Sequence, residues 1–294
     1  MDNGNEMRDF LVSRRARITP EQAGLPAYGG SRRVAGLRRE EVALLAGVSI
    51  DYYTRLERGR AAGVSGSVLE GIARALQLDE AEHAHLFDLA RAAAPAAPRA
   101  PRRPASQQVR PGVRRVLDSM TATPAYVRSA RLDVLAANRL GAALFAPVLG
   151  SPARPANSAR FLFLDPAARE FYADWERQAK DVVAMLRTEA GRSPHDKGLS
   201  NLIGELSARS ENFRTWWAAH NVRFHRTGVK RFRHPVVGDL TLTYEALDLA
   251  ADEGLRISAY TAEPGTPSDD ALKVLASWAA TLDQPAEAPA ADGG

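Results

Sequence analysis

The chain has 294 residues, of which 45% are hydrophobic and 25% charged, with 39 Lys and Arg against 35 Asp and Glu. That is a globular composition with length enough for two domains. With no cysteine, disulfides, thiolate metal sites and a cysteine nucleophile are excluded; no run approaches about 18 apolar residues, and the first residues lack a signal-peptide pattern, so a cytoplasmic protein without membrane insertion is expected.

The first helix is expected over 5–17, with Phe10 and Leu11 toward a core. Thr19-Pro20-Glu21-Gln22 reads as a cap with Pro in the first turn, opening a brief helical piece. A long connection follows over 24–36. Arg32 and Arg33 at its tip reach either a phosphate or the minor groove, or merely decorate a surface loop.

The stretch from Leu37 to Arg60 then has the layout of a helix-turn-helix. Val42, Ala43 and Ala46 form a narrow apolar stripe on one helix. Gly47 stands where the chain needs a left-handed residue, and Ser49 is placed to accept from the amides that open a second helix. Tyr53 and Leu56, three apart, point that helix back at the first. Leu56-Glu57-Arg58-Gly59 is a compact stop with Gly as cap. The outward residues are Ile50, Asp51, Tyr52, Thr54, Arg55 and Arg58, a surface able to meet base edges and phosphates. Two amphipathic helices, 67–76 and 79–92, complete a small bundle. Residues 8–60 hold eleven Arg against six acids, so the basic excess sits on this motif. DNA binding outweighs the alternative of an ordinary helical hairpin. Glu57 is expected to pair internally, with Arg14 as its partner, because a carboxylate facing phosphate would repel it.

Residues 93–109 form a linker whose prolines forbid a continuous helix. Its Arg99, Arg102 and Arg103 either graze DNA phosphates or belong to a solvated spacer. Beyond it the pattern is mixed. A helix is expected over 110–120, with Val113, Val116 and Leu117 on one face. Short strands follow at 124–128 and 132–136, then a helix over 138–149. Phe161–Pro166 leads into one long helix, 167–190, with Phe171, Trp175, Val182, Val183 and Leu186 inward. Helices at 199–208 and 211–220 precede strands at 228–234, 240–249 and 255–261. Leu240, Leu242 and Tyr244 alternate with Thr241, Thr243 and Glu245, giving a sheet with one buried face. A last helix runs over 269–282, and the tail from 284 to 294 is loose. The expected architecture is an all-α N-terminal bundle (1–92) and an α+β domain with an antiparallel sheet (110–283).

Both halves resemble one family. Leu37-Arg38-Arg39-Glu40-Glu41-Val42-Ala43, Ala46-Gly47-Val48-Ser49 and Tyr52-Tyr53-Thr54-Arg55-Leu56-Glu57-Arg58-Gly59 resemble the Xre/Cro-type helix-turn-helix of actinobacterial regulators. Thr123-Pro124-Ala125-Tyr126, Leu135-Ala136-Ala137-Asn138, the run Ala159 to Pro166, the run Phe232 to Leu240 and Tyr260-Thr261-Ala262-Glu263-Pro264-Gly265 resemble the MmyB-like ligand-binding domain. After Arg60 the run Ala61 to Gly66 departs from the charged, Pro-containing stretch usual in such regulators. The resemblance implies a PAS-like C-terminal fold and a pocket for a fatty acid or similar small apolar ligand. It also implies that Arg39, Ser49, Ile50, Asp51, Tyr52 and Arg55 read the major groove. Arg55 is suited to guanine O6 and N7, Asp51 to a cytosine amino group and Ile50 to a thymine methyl. Asp51 has an equal structural reading, because an acid favours a helix's first turn without any DNA.

The chemistry of catalysis is not legible. His83 and His85 point in different directions on one helix, His220 and His225 straddle a helix end, and no acidic pair brackets them at metal-like spacing, so neither metal nor cofactor is expected. No phosphate loop, nucleophile elbow or dinucleotide fingerprint is present. The expected ligand residues are Tyr126, Phe163, Trp175, Arg214, Trp217, His234 and Tyr244, with Tyr126, Arg214 or His234 as polar anchor. For the aromatics the competing reading is plain core, and for His234 a satisfied, half-buried histidine. The reading that results is a nucleoid-associated transcription regulator, homodimeric on two-fold operator DNA, whose C-terminal domain senses a small apolar ligand. Its rivals are a DNA-binding protein with a purely structural dimerisation domain and, less favoured, an enzyme with an attached DNA-binding module.

Overall fold

The computed structural model describes residues 3–26, 34–93, 108–152, 154–222 and 227–282. Arg32, Arg33, nearly all of the linker, His225 and the tail therefore lie outside the described residues. In chain order the first half comprises α1 (Asn3–Arg15), α2 (Arg39–Ala46), α3 (Ile50–Glu57), α4 (Gly66–Ala75), α5 (Glu80–Ala93), α6 (Pro111–Ser119), β1 (Ala125–Arg128), β2 (Val134–Ala137), α7 (Arg139–Leu144) and α8 (Ala146–Leu149). There follow α9 (Ser158–Leu164), α10 (Ala167–Phe171), α11 (Trp175–Arg192), α12 (Lys197–Arg209), α13 (Glu211–Ala218), β3 (Thr227–His234), β4 (Gly238–Asp248), β5 (Arg256–Thr261) and α14 (Pro267–Leu282).

The chain forms two compact units, and they do not follow the expected linear division. Residues 180–222 fold with α1–α5, while α6 to residue 179 folds with the sheet and α14. The expected domain over 110–283 thus gives up its middle to the N-terminal unit. The boundary falls inside α11, at a point that hydrophobic periodicity does not mark.

In the first unit, Met7, Phe10 and Leu11 of α1 join Val42 and Ala43 of α2, Tyr53 and Leu56 of α3, Ile72 of α4 and Leu86 and Leu89 of α5 in one core, which Val222 also enters. The Thr19 turn forms as expected, with Thr19 Oγ1 accepting from the Gln22 amide at 3.3 Å and Gln22 Oε1 from the Thr19 amide at 2.9 Å. His85 of α5 is fully buried (1% exposed), edge-on to Phe10, and neither ring nitrogen has a hydrogen-bond partner among the described residues. Burial first, then the Arg187 and Arg14 guanidiniums, lower its pKa from 6.5 to about 3. The unfolded chain takes up this proton below about pH 6.5 and the folded chain does not, so stability falls on acidification. The loss from His85 alone between pH 7 and pH 5 is about 2 kcal/mol. Urea midpoints at both pH values should show His85→Leu losing less than the wild type by that amount. Equal losses would mean that the folded protein protonates His85.

In the second unit the sheet runs β2-β1-β5-β4-β3, antiparallel throughout. Leu240, Leu242 and Tyr244 are buried and Thr241, Thr243 and Glu245 exposed, as the alternation requires. On one face α6 lays Val113 and Leu117 over Ala125, Val127, Ala136 and Ile257. Val116, expected on the same face, is instead 53% exposed. Val113 and Leu117, four apart, form the buried line of α6, and Val116 lies 100° around the helix from Leu117. The other face carries an aromatic layer from Tyr126, Phe145, Phe171, Phe232 and Tyr260. The single long helix expected over 167–190 is broken. Tyr172 is extended (φ −94°, ψ 109°) and bridges Phe232, and the Ala173 amide donates to the Arg231 carbonyl at 3.1 Å. Pairing with the sheet's edge strand thus outweighs continuation of the helix.

Candidate nucleic-acid interface and ligand site

Helix α3, the second helix of the helix-turn-helix layout, is fixed at both ends by local chemistry. Gly47 ends α2 in the left-handed conformation (φ 69°), and its neighbour Val48 donates to the Ala43 carbonyl at 3.0 Å. Ser49 then caps α3, its hydroxyl accepting from the Tyr52 amide at 3.1 Å. At the other end the Gly59 amide donates to the Leu56 carbonyl at 2.9 Å. Tyr53 and Leu56 are buried, and burial pushes the Tyr53 phenol pKa upward. This leaves Ile50, Asp51, Arg55 and Arg58 exposed and Tyr52 and Thr54 half-buried along one outward face. The Arg55 guanidinium lies 4.9 Å from the Tyr52 ring centroid, which restrains it beside the helix without using its fork of donors.

Glu57 pairs internally, but not with Arg14. Its buried carboxylate takes Arg15 Nε at 2.7 Å on one oxygen and Arg39 Nε on the other. Arg14 is one position, or 100° of helix, away from Arg15, and pairs with Glu82 at 3.2 Å. Arg39 is half exposed and its pKa is raised chiefly by the hydrogen bond to Glu57. The pair ties this arginine, at the start of α2, to the last residue of α3. That Glu57 holds Arg39 is a contact that the spacing did not reveal.

The expected ligand residues do not assemble as one group. Arg214 and Trp217 lie on α13, in the first unit. Arg214 is exposed and donates to the Ser207 carbonyl, and Trp217 stacks on Phe213 beside Arg187. Trp175 is half-buried, its indole donating to the Leu162 carbonyl at 2.8 Å, with Phe163 edge-on and the Arg169 guanidinium 3.7 Å from its ring centroid. His234 is 3% exposed rather than half-buried. One ring nitrogen meets the Ala143 carbonyl at 3.1 Å and the other accepts from the Val236 amide at 3.2 Å, so both are spent within the protein. Its pKa is lowered by burial, partly offset by the bond to Ala143.

Tyr126 and Tyr244 do reach the aromatic layer. The Tyr126 and Tyr260 hydroxyls lie 3.5 Å apart, and the Tyr244 hydroxyl donates to the Thr227 carbonyl at 2.9 Å. Burial raises the Tyr260 phenol pKa. Phe145, Phe232 and Tyr260 complete this layer, and the alternation of β3 and β5 was the signal that would have selected the last two. Among the described residues no three His, Asp or Glu side chains are grouped to hold a metal ion, and no helix is long and apolar enough to cross a membrane.

Two family models match the chain. A helix-turn-helix domain matches residues 14–86, and the MmyB-like transcription regulator ligand binding domain matches residues 109–275. No curated protein matches. With more than half of its 294 residues inside the second match, the chain belongs to the MmyB-like transcription regulators, as a helix-turn-helix DNA-binding protein that carries a ligand-binding domain.

Proposed function

We propose that the protein is a cytoplasmic, nucleoid-associated regulator that binds operator DNA in a sequence-specific way as a homodimer and senses a small apolar ligand of the fatty-acid kind. The exposed row Ile50, Asp51, Arg55 and Arg58 on a capped helix carries the DNA half of this reading. Arg55 is the base reader, forking onto guanine, while Arg39 is a phosphate or base contact positioned by Glu57. The aromatic layer on a sheet of order β2-β1-β5-β4-β3 supports a PAS-like ligand fold with Tyr126 as its polar anchor. Arg214, Trp217 and His234 drop out of that proposal for the reasons given above.

The test uses the full chain, because residues 180–222 complete the DNA-binding unit. Duplexes recovered by selection from a random pool are titrated across salt, where affinity should fall steeply as counterions are released. Arg55→Ala should cost about 1–3 kcal/mol on the selected duplex and much less on random DNA. Equal losses on both would reassign Arg55 to phosphate, and no salt-dependent binding at all would overturn the reading.

A second reading, a regulator whose C-terminal domain is only a dimerisation scaffold, is favoured by the internal bonding of His234 and Tyr244. Solvent extraction followed by mass spectrometry decides between them. Release of an acyl chain, and a DNA affinity that responds to adding it back, is the expected result. Delipidated protein that binds no acyl chain and whose DNA affinity ignores it would establish the scaffold.

A further inference from the structure

Residues 180–222 lie within the stretch matched by the ligand-binding family, yet they pack in the unit that carries the helix-turn-helix. The seam they form with α1 and α5 is polar and incompletely bonded. Arg187 of α11 donates to Glu6 of α1 at 2.6 Å and to the Trp217 carbonyl, with its guanidinium 4.0 Å from the Trp217 ring centroid. Arg14 of α1 donates to the His220 carbonyl. His85 of α5 faces Gly191 of α11, where an added Cβ would lie 2.7–2.8 Å from the imidazole. Arg14 Nη1, Arg187 Nε and both His85 nitrogens are buried without a hydrogen-bond partner among the described residues. Each such group forfeits its hydration when the seam closes and regains it when the seam opens.

The same helix α1 reaches the DNA-facing surface one residue later. Arg15 donates to Glu57 at 2.7 Å and to the Leu37 carbonyl at 2.8 Å, and Glu57 holds Arg39. Arg14 and Arg15 thus tie the seam and the base of the recognition helix to one turn of α1.

We propose that this seam is a two-state latch on the DNA-binding unit: closed, it fixes α1 and with it the Arg15–Glu57–Arg39 clamp; open, it frees α1 and weakens DNA binding. The proposal rests on the DNA-binding reading above and adds the element through which residues of the ligand-binding stretch govern it. A bistable element of this kind is what a ligand must bias if it is to change DNA affinity.

Hydrogen exchange at α1 and α5 amides reads the latch, and titration of the full chain with a selected duplex reads the clamp. Gly191→Leu drives a side chain into His85 and should hasten exchange and lower DNA affinity about tenfold. His85→Leu replaces an unsatisfied ring with an apolar one and should slow exchange. The double variant His85→Ala/Gly191→Leu makes room for the new side chain and should restore both readouts. Should Gly191→Leu fail to fold, Gly191→Ala provides the smaller wedge with effects of the same sign.

An opened seam with unchanged DNA affinity overturns the latch, as does a His85→Leu variant that exchanges no more slowly than the wild type. A wild-type chain that selects no duplex overturns the DNA-binding reading itself, a result distinct from either.

Discussion

Replacing Glu57 with Ala is expected to destabilise the first unit by about 3–5 kcal/mol, the cost of breaking a buried ion pair from one side. The carboxylate is 2% exposed and faces Arg15, whose side chain is 15% exposed. Without Glu57 the Arg15 guanidinium loses its carboxylate and keeps its bond to the neutral Leu37 carbonyl. The cost is one-sided, because the desolvation of Arg15 stays after its partner is gone. Arg39→Ala should cost far less, on the order of 1 kcal/mol or below, since Arg39 is half exposed and water replaces its bond. Urea denaturation of the three proteins tests the ranking. Comparable losses for Glu57→Ala and Arg39→Ala would mean that the clamp is a surface pair.

The second large effect is expected at Asn138, which is 3% exposed and uses its whole amide. Oδ1 accepts from the Ala125 amide at 3.0 Å and the Gly141 amide at 2.7 Å, while Nδ2 donates to the Met120 and Thr123 carbonyls at 2.7 and 2.8 Å. One side chain therefore ties the end of α6, the start of β1 and the cap of α7. Asn138→Ala orphans four backbone groups, and at about 1–3 kcal/mol for each that stays buried, a total loss of about 4 kcal/mol is expected. Asn138→Asp keeps both accepted bonds but turns its other oxygen toward two carbonyls, so it should lose stability as well. The loss should shrink as the pH falls and the carboxyl regains a proton to donate. A thermal melt that leaves Asn138→Ala within 1 °C of the wild type would rule out this role.

These two residues illustrate what could be read before any coordinates. Asn138 stood in a motif and opened a helix, so its local role as a cap was legible. Its reach to Met120 and Thr123 was not, because hydrogen bonds between segments leave no periodicity. Gly47, Ser49 and the alternation of β4 are local signals, and each was reproduced at the expected residue. Glu57 was legible as an inward acid, yet the choice between Arg14 and Arg15 depends on the rotation of α1, which composition does not set. Tyr172 carries no Gly or Pro to announce the break in the helix, since the cause is a strand more than fifty residues away. The ligand residues were the least legible for a related reason. Aromatic side chains suit a core and a pocket equally, and Arg214 and Trp217 were drawn into that group by the assumption that a domain is one continuous stretch of chain.

The bond between Arg14 and the His220 carbonyl joins residues 206 positions apart. Its consequence lies in the order of synthesis. When Ala93 leaves the ribosome, all five helices of the DNA-binding bundle have been made, but the residues that cover Arg14 and His85 have not. At a translation rate of about 5–20 residues per second, the stretch up to His220 takes on the order of 10 s to arrive. Throughout that interval Arg14 and His85 are hydrated and the bundle's flank on α1 and α5 is bare. The seam therefore waits for a distant segment to return to the first helix made, a closure of high contact order and correspondingly slow, while β3, β4, β5 and α14 are still to be synthesised when His220 arrives.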